Sequence, residues 1–236
     1  MRGSSAWVKM SVSVLTVAAA LGVGSGYGRI EGAEPPADTA AVTKPPATES
    51  ATERPLAKEL AEFTAGYEAR ATPEQRARLA RAMEETKETG VLARAKRVGD
   101  RAPEFELIDA SGSAVKLSTL LARGPVVLTW HRGVWCPFCN MQLKAMQARL
   151  SEFEAAGATV VAISPQMPDS SAAMVKKNGL TLVVLSDISN RPAEAYGVGF
   201  VMPESIAPKT GRGGGGANWL AKFNGDETNT LPLSAT

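Results

Sequence analysis

Three short apolar runs set the fold class of this 236-residue chain. PVVLTW (125–130), ATVVAIS (158–164) and TLVVLSD (181–187) are continuous and rich in β-branched residues, as strands buried on both faces must be. Between them lie segments with the period of a helix. Pro137 to about Ala155 turns Met141, Leu143, Met146, Leu150 and Phe153 inward, and SSAAMVKKNG reads as a helix ended by Gly179. RPAEAYG gives a further short helix with Pro192 near its start. Strands separated by helices join as parallel neighbours through right-handed crossovers, so residues 98–236 predict an α/β domain.

The chain before this domain falls into three parts. Arg2 and Lys9 precede and open a mostly apolar, small-residue run from Met10 to Val23, and Gly24-Ser25-Gly26 follows it. This is the pattern of a signal peptide over residues 1–28, with an uncleaved membrane anchor as the alternative; either implies export to the periplasm or cell envelope. No clean A-x-A cleavage box stands there, and no Cys for a lipid anchor. Residues 29–54 (with AEPPADTAAVTKPPATESATERP) hold too few large apolar groups to offset the entropy of ordering, and read as a disordered linker. Residues 55–97 predict a helical extension of two helices. Leu56, Leu60, Phe63 and Tyr67 recur on one helical face. Thr72, Pro73 and Gln75 form a capping box with proline at the first helical position, and Leu79, Met83 and Leu92 are the expected apolar face of the second helix.

Charge and cysteine count narrow the chemistry. The formal charge of +2 is carried by Arg2 and Lys9 of the exported segment, so the rest is neutral and does not read as a nucleic-acid binder. Two Cys and one His cannot complete a four-cysteine or Cys₂His₂ zinc site.

Both cysteines lie in Trp135-Cys136-Pro137-Phe138-Cys139, after a buried strand and at the opening of a helix. Cys136 falls at the helix N-cap with Pro137 first in the helix. Free backbone N–H groups and the helix dipole there favour a thiolate, and such placement lowers a thiol pKa from ~8.5 to between roughly 3.5 and 7.5. Cys139, at i+3, lies one turn deeper within disulfide reach and reads as the resolving thiol. Arg132 can stabilise negative charge at Cys136. A static disulfide across so few residues would restrain little chain entropy, so redox chemistry is the stronger reading of the spacing. His131 precedes the motif, and a second metal-ligand pair is missing.

VGDRAPEFELIDASGSAVKLSTLL, GPVVLTWHRGVWCPFCNMQL, GATVVAISPQ and LVVLSD together resemble the peroxiredoxin (AhpC/TSA) branch of the thioredoxin-fold superfamily, nearest its Tyr-Arg-Gly-x-Trp-Cys-Pro-x-Cys subgroup. The resemblance is strong over residues 98–200 and weaker over 55–97 and 201–236. It implies a thioredoxin-like fold with a central mixed sheet, with Cys136 as peroxidatic cysteine, Cys139 as its resolving partner, and Arg132 as the arginine of the subgroup's motif. His131 stands where the subgroup has Tyr.

Two departures from the family pattern stand out. Gly133 occupies the place where peroxiredoxins carry a Thr whose hydroxyl helps orient peroxide, and Thr129 lies too far along the strand to be assumed a substitute. LPLSAT (231–236) has Ser234 at the expected cis-proline and then ends, which reads as a shortened C-terminus that leaves the edge of PVVLTW open or covered by something else. The glycine-rich stretch of Gly211 and Gly213–Gly216 lacks a phosphate-loop ending, and Trp219 and Phe223 are expected to dock on the domain.

The resemblance implies a thiol peroxidase reducing hydrogen peroxide and organic hydroperoxides, recycled by thioredoxin or a similar dithiol, with no metal, flavin or haem and with a homodimer as one expected assembly. Two alternatives share the residues: an exported thiol–disulfide oxidoreductase acting on protein cysteines, and a non-catalytic envelope module that binds a partner through its helical arm.

Overall fold

The computed structural model describes residues 55–207 and 218–236. The signal, the linker and the glycine-rich stretch of the sequence reading lie outside them.

The helical extension begins with α1 (Pro55–Arg70) and α2 (Pro73–Glu88). Thr72 caps α2 as a reciprocal box: its hydroxyl accepts the Gln75 N–H at 3.2 Å, and Gln75 Oε1 accepts the Thr72 N–H at 2.8 Å. Gly90, with φ of 68°, then turns the chain into the single turn of α3 (Val91–Arg94). Here the sequence reading needs correction. Leu79, Met83 and Leu92 are exposed, and the extension instead buries Ala82 and Val91. Small side chains allow α2 to sit close to its neighbours, and Glu85 of its inner side accepts a hydrogen bond from Ser205 at 2.8 Å.

The sheet has five strands in the order β2-β1-β5-β4-β3. β1 (Glu106–Asp109) and β2 (Ala114–Lys116) form a hairpin, and the short helix α4 (Leu117–Leu121) follows. β3 (Val126–Trp130), β4 (Thr159–Ser164) and β5 (Val183–Ser186) are the three apolar runs, paired parallel as expected. β1 joins β5 antiparallel, which makes the sheet mixed. The helix expected from Pro137 to Ala155 is two, α5 (Pro137–Ala148) and α6 (Leu150–Ala155), broken at Arg149. α7 (Pro168–Asn178) ends at Gly179 in a left-handed C-cap, and α8 (Arg191–Ala195) follows β5.

Alternation along the strands sorts the core into two layers. Val161, Ile163, Leu185 and Trp130 pack on one face against Leu117, Leu120, Ala193 and Tyr196. Val160, Ala162 and Val184 pack on the other against Leu143, Met174, Leu180 and Leu182. Fully burying each Val, Leu, Ile or Met side chain among them contributes about 1.5–3 kcal/mol. A central mixed sheet with helices on both faces is the thioredoxin-like arrangement.

The remaining chain forms a small appendage: β6 (Gly199–Val201) pairs antiparallel with β7 (Thr230–Pro232), with the single turn α9 (Ala221–Asn224) between them. Its core of Phe200, Met202, Leu220 and Leu231 also takes Val91 of the extension. β3 stands last in the sheet order. At its end the Trp130 N–H donates to Ala235 O at 2.8 Å, so the segment after β7 covers part of that flank.

Candidate active site

β3 delivers the chain to a tight loop, His131–Trp135, from which α5 starts. Gly133 has φ of 136°, which favours glycine. A Cβ there would stand 2.9 Å from both Gln166 Oε1 and Trp135 Nε1. The space in which a threonine hydroxyl would be carried is therefore already taken by a carboxamide and an indole.

Cys136 is the N-cap of α5, with φ −89° and ψ 109°, and Pro137 is the first helical residue. Cys139 lies on the next turn, and the two sulfurs are hydrogen-bonded at 3.0 Å as free thiols. Both residues are buried: Cys136 retains 5% of its surface and Cys139 1%. Two further polar groups approach Cys139. The Arg132 backbone N–H points at its sulfur at 3.5 Å, and Ser234 Oγ lies 3.6 Å away. Ser234 thus stands beside the dithiol.

The two thiols titrate as a pair. The hydrogen bond from Cys136 brings the Cys139 thiol down to about 6, with the Arg132 and Ser234 groups assisting against burial. The same bond, together with burial, pushes the Cys136 thiol up, which corrects the lowering expected of Cys136 from its place at the helix N-terminus. The first proton leaves easily because the remaining S–H solvates the anion. The second leaves a dianion in a dry place. The Arg132 guanidinium lowers both sulfurs through its charge. It lies 6.0 Å from the centre of the Phe200 ring, a cation–π contact, and its Nε is buried without a partner.

The backbone differs from the sequence expectation at one point. The Cys136 N–H is engaged by Gly133 O at 3.1 Å and is not free to receive developing charge. His131 is buried with neither ring nitrogen partnered, and burial lowers it to about 4. It is neutral at ordinary pH. Thr129 is buried behind the site, where its hydroxyl accepts from Thr236 Oγ1 at 3.0 Å. Among the described residues no group of three or more His, Cys, Asp or Glu comes together to hold a metal ion.

Two edge-on aromatic pairs involve the chain neighbours of the cysteines. Phe138, between the cysteines, meets Phe63 of α1 edge-on at 5.0 Å, so the helical extension covers this end of α5. Trp135 meets Trp219 edge-on at 5.0 Å. Sequence reasoning did not single out three polar residues that hold the loop. Gln166 Oε1 accepts the Val134 N–H at 2.7 Å. Asn140 Nδ2 donates to Val134 O at 2.7 Å and to Cys136 O at 2.9 Å. Asn178 Nδ2 donates to Asn140 Oδ1 at 2.8 Å. Their only signal is position, one residue past Cys139 for Asn140 and just beyond β4 for Gln166.

Residues 98–210 match the AhpC/TSA family. The Mycobacterium tuberculosis (strain H37Rv) protein "Putative peroxiredoxin Rv2521" is 35% identical over 99 residues, which are 42% of this chain and 62% of that one. A chloroplastic peroxiredoxin Q of Populus jackii is 35% identical over 100 residues, 42% of this chain and 46% of its own. The crystal structure of peroxidoxin BcpB from Mycobacterium tuberculosis has a TM-score of 0.42 at 30% identity, over 43% of this chain and 66% of that one. The chain spans less than two thirds of the length of the first curated relatives it matches. Residues 98–210 are therefore similar to peroxiredoxins, and the fold that carries them is thioredoxin-like. The matched segment contains the Cys136–Cys139 pair.

Proposed function

We propose that this chain is a thiol-dependent peroxidase, and the observation that carries the reading is the pair of free thiols 3.0 Å apart at the start of α5. The pair holds one negative charge near neutral pH. Transfer of the remaining proton from Cys136 to Cys139 across that bond puts the charge on Cys136, the less enclosed sulfur. Its lone pair attacks one peroxide oxygen, the O–O bond breaks, and Cys136 becomes a sulfenic acid. The departing alkoxide or hydroxide takes the Cys139 proton and leaves as alcohol or water. The Cys139 thiolate then displaces hydroxide from the sulfenic acid, closing the disulfide. An external dithiol of the thioredoxin kind returns both sulfurs to thiols and is itself oxidised. Arg132 offsets the negative charge that builds on the oxygens. Residues 1–28 support an exported setting for this chemistry.

Steady-state consumption of hydrogen peroxide or an organic hydroperoxide, coupled to a thioredoxin system, tests the assignment. Turnover is expected, and Cys136→Ser abolishes it. Full activity in that variant rules the proposal out.

One observation favours a second reading, a thiol–disulfide oxidoreductase acting on protein cysteines. Gly133 offers no hydroxyl to a peroxide, and its neighbouring space is filled. This reading requires disulfide exchange with a protein substrate at useful rate while peroxide turnover stays at background.

A further inference from the structure

Val134 is the pivot of the loop that carries Cys136. Neither of its backbone polar groups is held by strand or helix. Its N–H goes to Gln166 and its carbonyl to Asn140. The Asn140 carboxamide reaches further, because its Nδ2 also donates to the carbonyl of Cys136, which already accepts the Asn140 backbone N–H at 3.1 Å. One side chain thus ties together the loop and the residue that caps α5.

The orientation of that carboxamide is determined by chemistry. Turned over, it would set Oδ1 against two carbonyl oxygens, both acceptors. Asn178, the last residue of α7, donates to Oδ1 and so favours the productive orientation. The bonds run from α7 through Asn178 and Asn140 to the carbonyls on either side of Trp135.

Resting on the peroxidase reading, we infer that Asn140 is a positioning residue for Cys136, oriented by Asn178, and that this pair of amides sets the distance between the two sulfurs. Each neutral hydrogen bond contributes only modestly to stability. Its effect on the site is larger than that, since the sulfur–sulfur bond responds to displacements of a few tenths of an ångström.

Asn140→Leu and Asn178→Leu remove the donors without adding charge, in a side chain of similar size. The measurement is the rate of alkylation of the reduced protein by a neutral reagent across pH, with the rate of peroxide oxidation measured in parallel. Asn140→Leu is expected to move the pH midpoint of alkylation upward by about one unit and to slow disulfide closure about tenfold. Asn178→Leu moves both in the same direction by less, and the double variant adds little to Asn140→Leu alone. A purely structural role would lower the melting temperature and leave the midpoint where it is, and that result in both variants overturns the inference. Alkylation does not depend on peroxide, so absent peroxide turnover in the unaltered protein would count against the peroxidase reading and leave this test intact.

Discussion

Cys136 and Cys139 share one hydrogen bond between their sulfurs, 3.0 Å long. That bond makes the site a single titrating unit, and it governs the first prediction. With the Cys139 thiol lowered to about 6, the pair is a monoanion at pH 7. The alkylation rate of the reduced protein should therefore rise through a midpoint near pH 6 and stay flat to pH 8. A midpoint at the free-thiol value of ~8.5 would contradict the paired description.

Removing the deeper sulfur separates attack from closure. Cys139→Ser is expected to react once with peroxide and to stop at the sulfenic acid of Cys136, trapped by a dimedone-type reagent and seen by mass spectrometry. No intramolecular disulfide can form. The apparent thiol midpoint should also rise, because the sulfur favoured by the Arg132 N–H and Ser234 is gone and the buried Cys136 must carry the charge instead. A variant that still turns over many peroxides would assign closure to some other group.

Restoring a threonine at Gly133 is expected to harm the protein. The backbone there has φ of 136°, and the new Cβ would lie 2.9 Å from Gln166 Oε1, which is buried and holds the Val134 N–H. Gly133→Thr should cost about 1–3 kcal/mol of stability. It should also reduce the rate of Cys136 oxidation, because Gln166 must give way. Denaturant unfolding and stopped-flow oxidation measure the two effects. A stable, faster variant would show that the loop accommodates the hydroxyl.

Asp187, just after β5, gives a stability signature of its own. It is buried, its Oδ2 accepts the Ala193 N–H at 3.1 Å, and its Oδ1 has no partner. Burial raises it from 3.8 to about 7. The folded state keeps its proton between those values while the unfolded chain loses it. Its contribution is therefore fully present below pH 4 and is lost as pH rises through 7, at up to about 1.4 kcal/mol per pH unit. Asp187→Asn keeps an acceptor for Ala193 and removes the titration. The stability difference between the two proteins should shift in favour of the variant from pH 4 to pH 7. A difference that does not change with pH would mean the carboxyl is solvated.

The sequence made the scaffold legible wherever the signal was periodic or punctuated. β3, β4 and β5 are unbroken β-branched runs, Pro137 marks the first turn of α5, and Gly179 ends α7. The cysteines stand out because the chain has only two and both lie in one short motif, with Arg132 four residues before Cys136. The helical extension misleads for a physical reason. Leu79 and Met83 have the expected spacing, but α2 approaches its neighbours through Ala82, and a small residue carries no hydropathy signal. Arg149 breaks one expected helix in two without any proline or glycine to announce it. Asn140, Asn178 and Gln166 are unreadable for a different cause. A side-chain amide that satisfies a loop backbone has no period, and its partners lie 4 to 38 residues away in the chain.

The contact of Trp135 with Trp219 gives the dithiol its own optical reporter. An indole adjacent in the chain to Cys136 is quenched to different extents by a thiolate, a thiol and a disulfide. Native emission should therefore follow oxidation and recovery in real time, with no label attached.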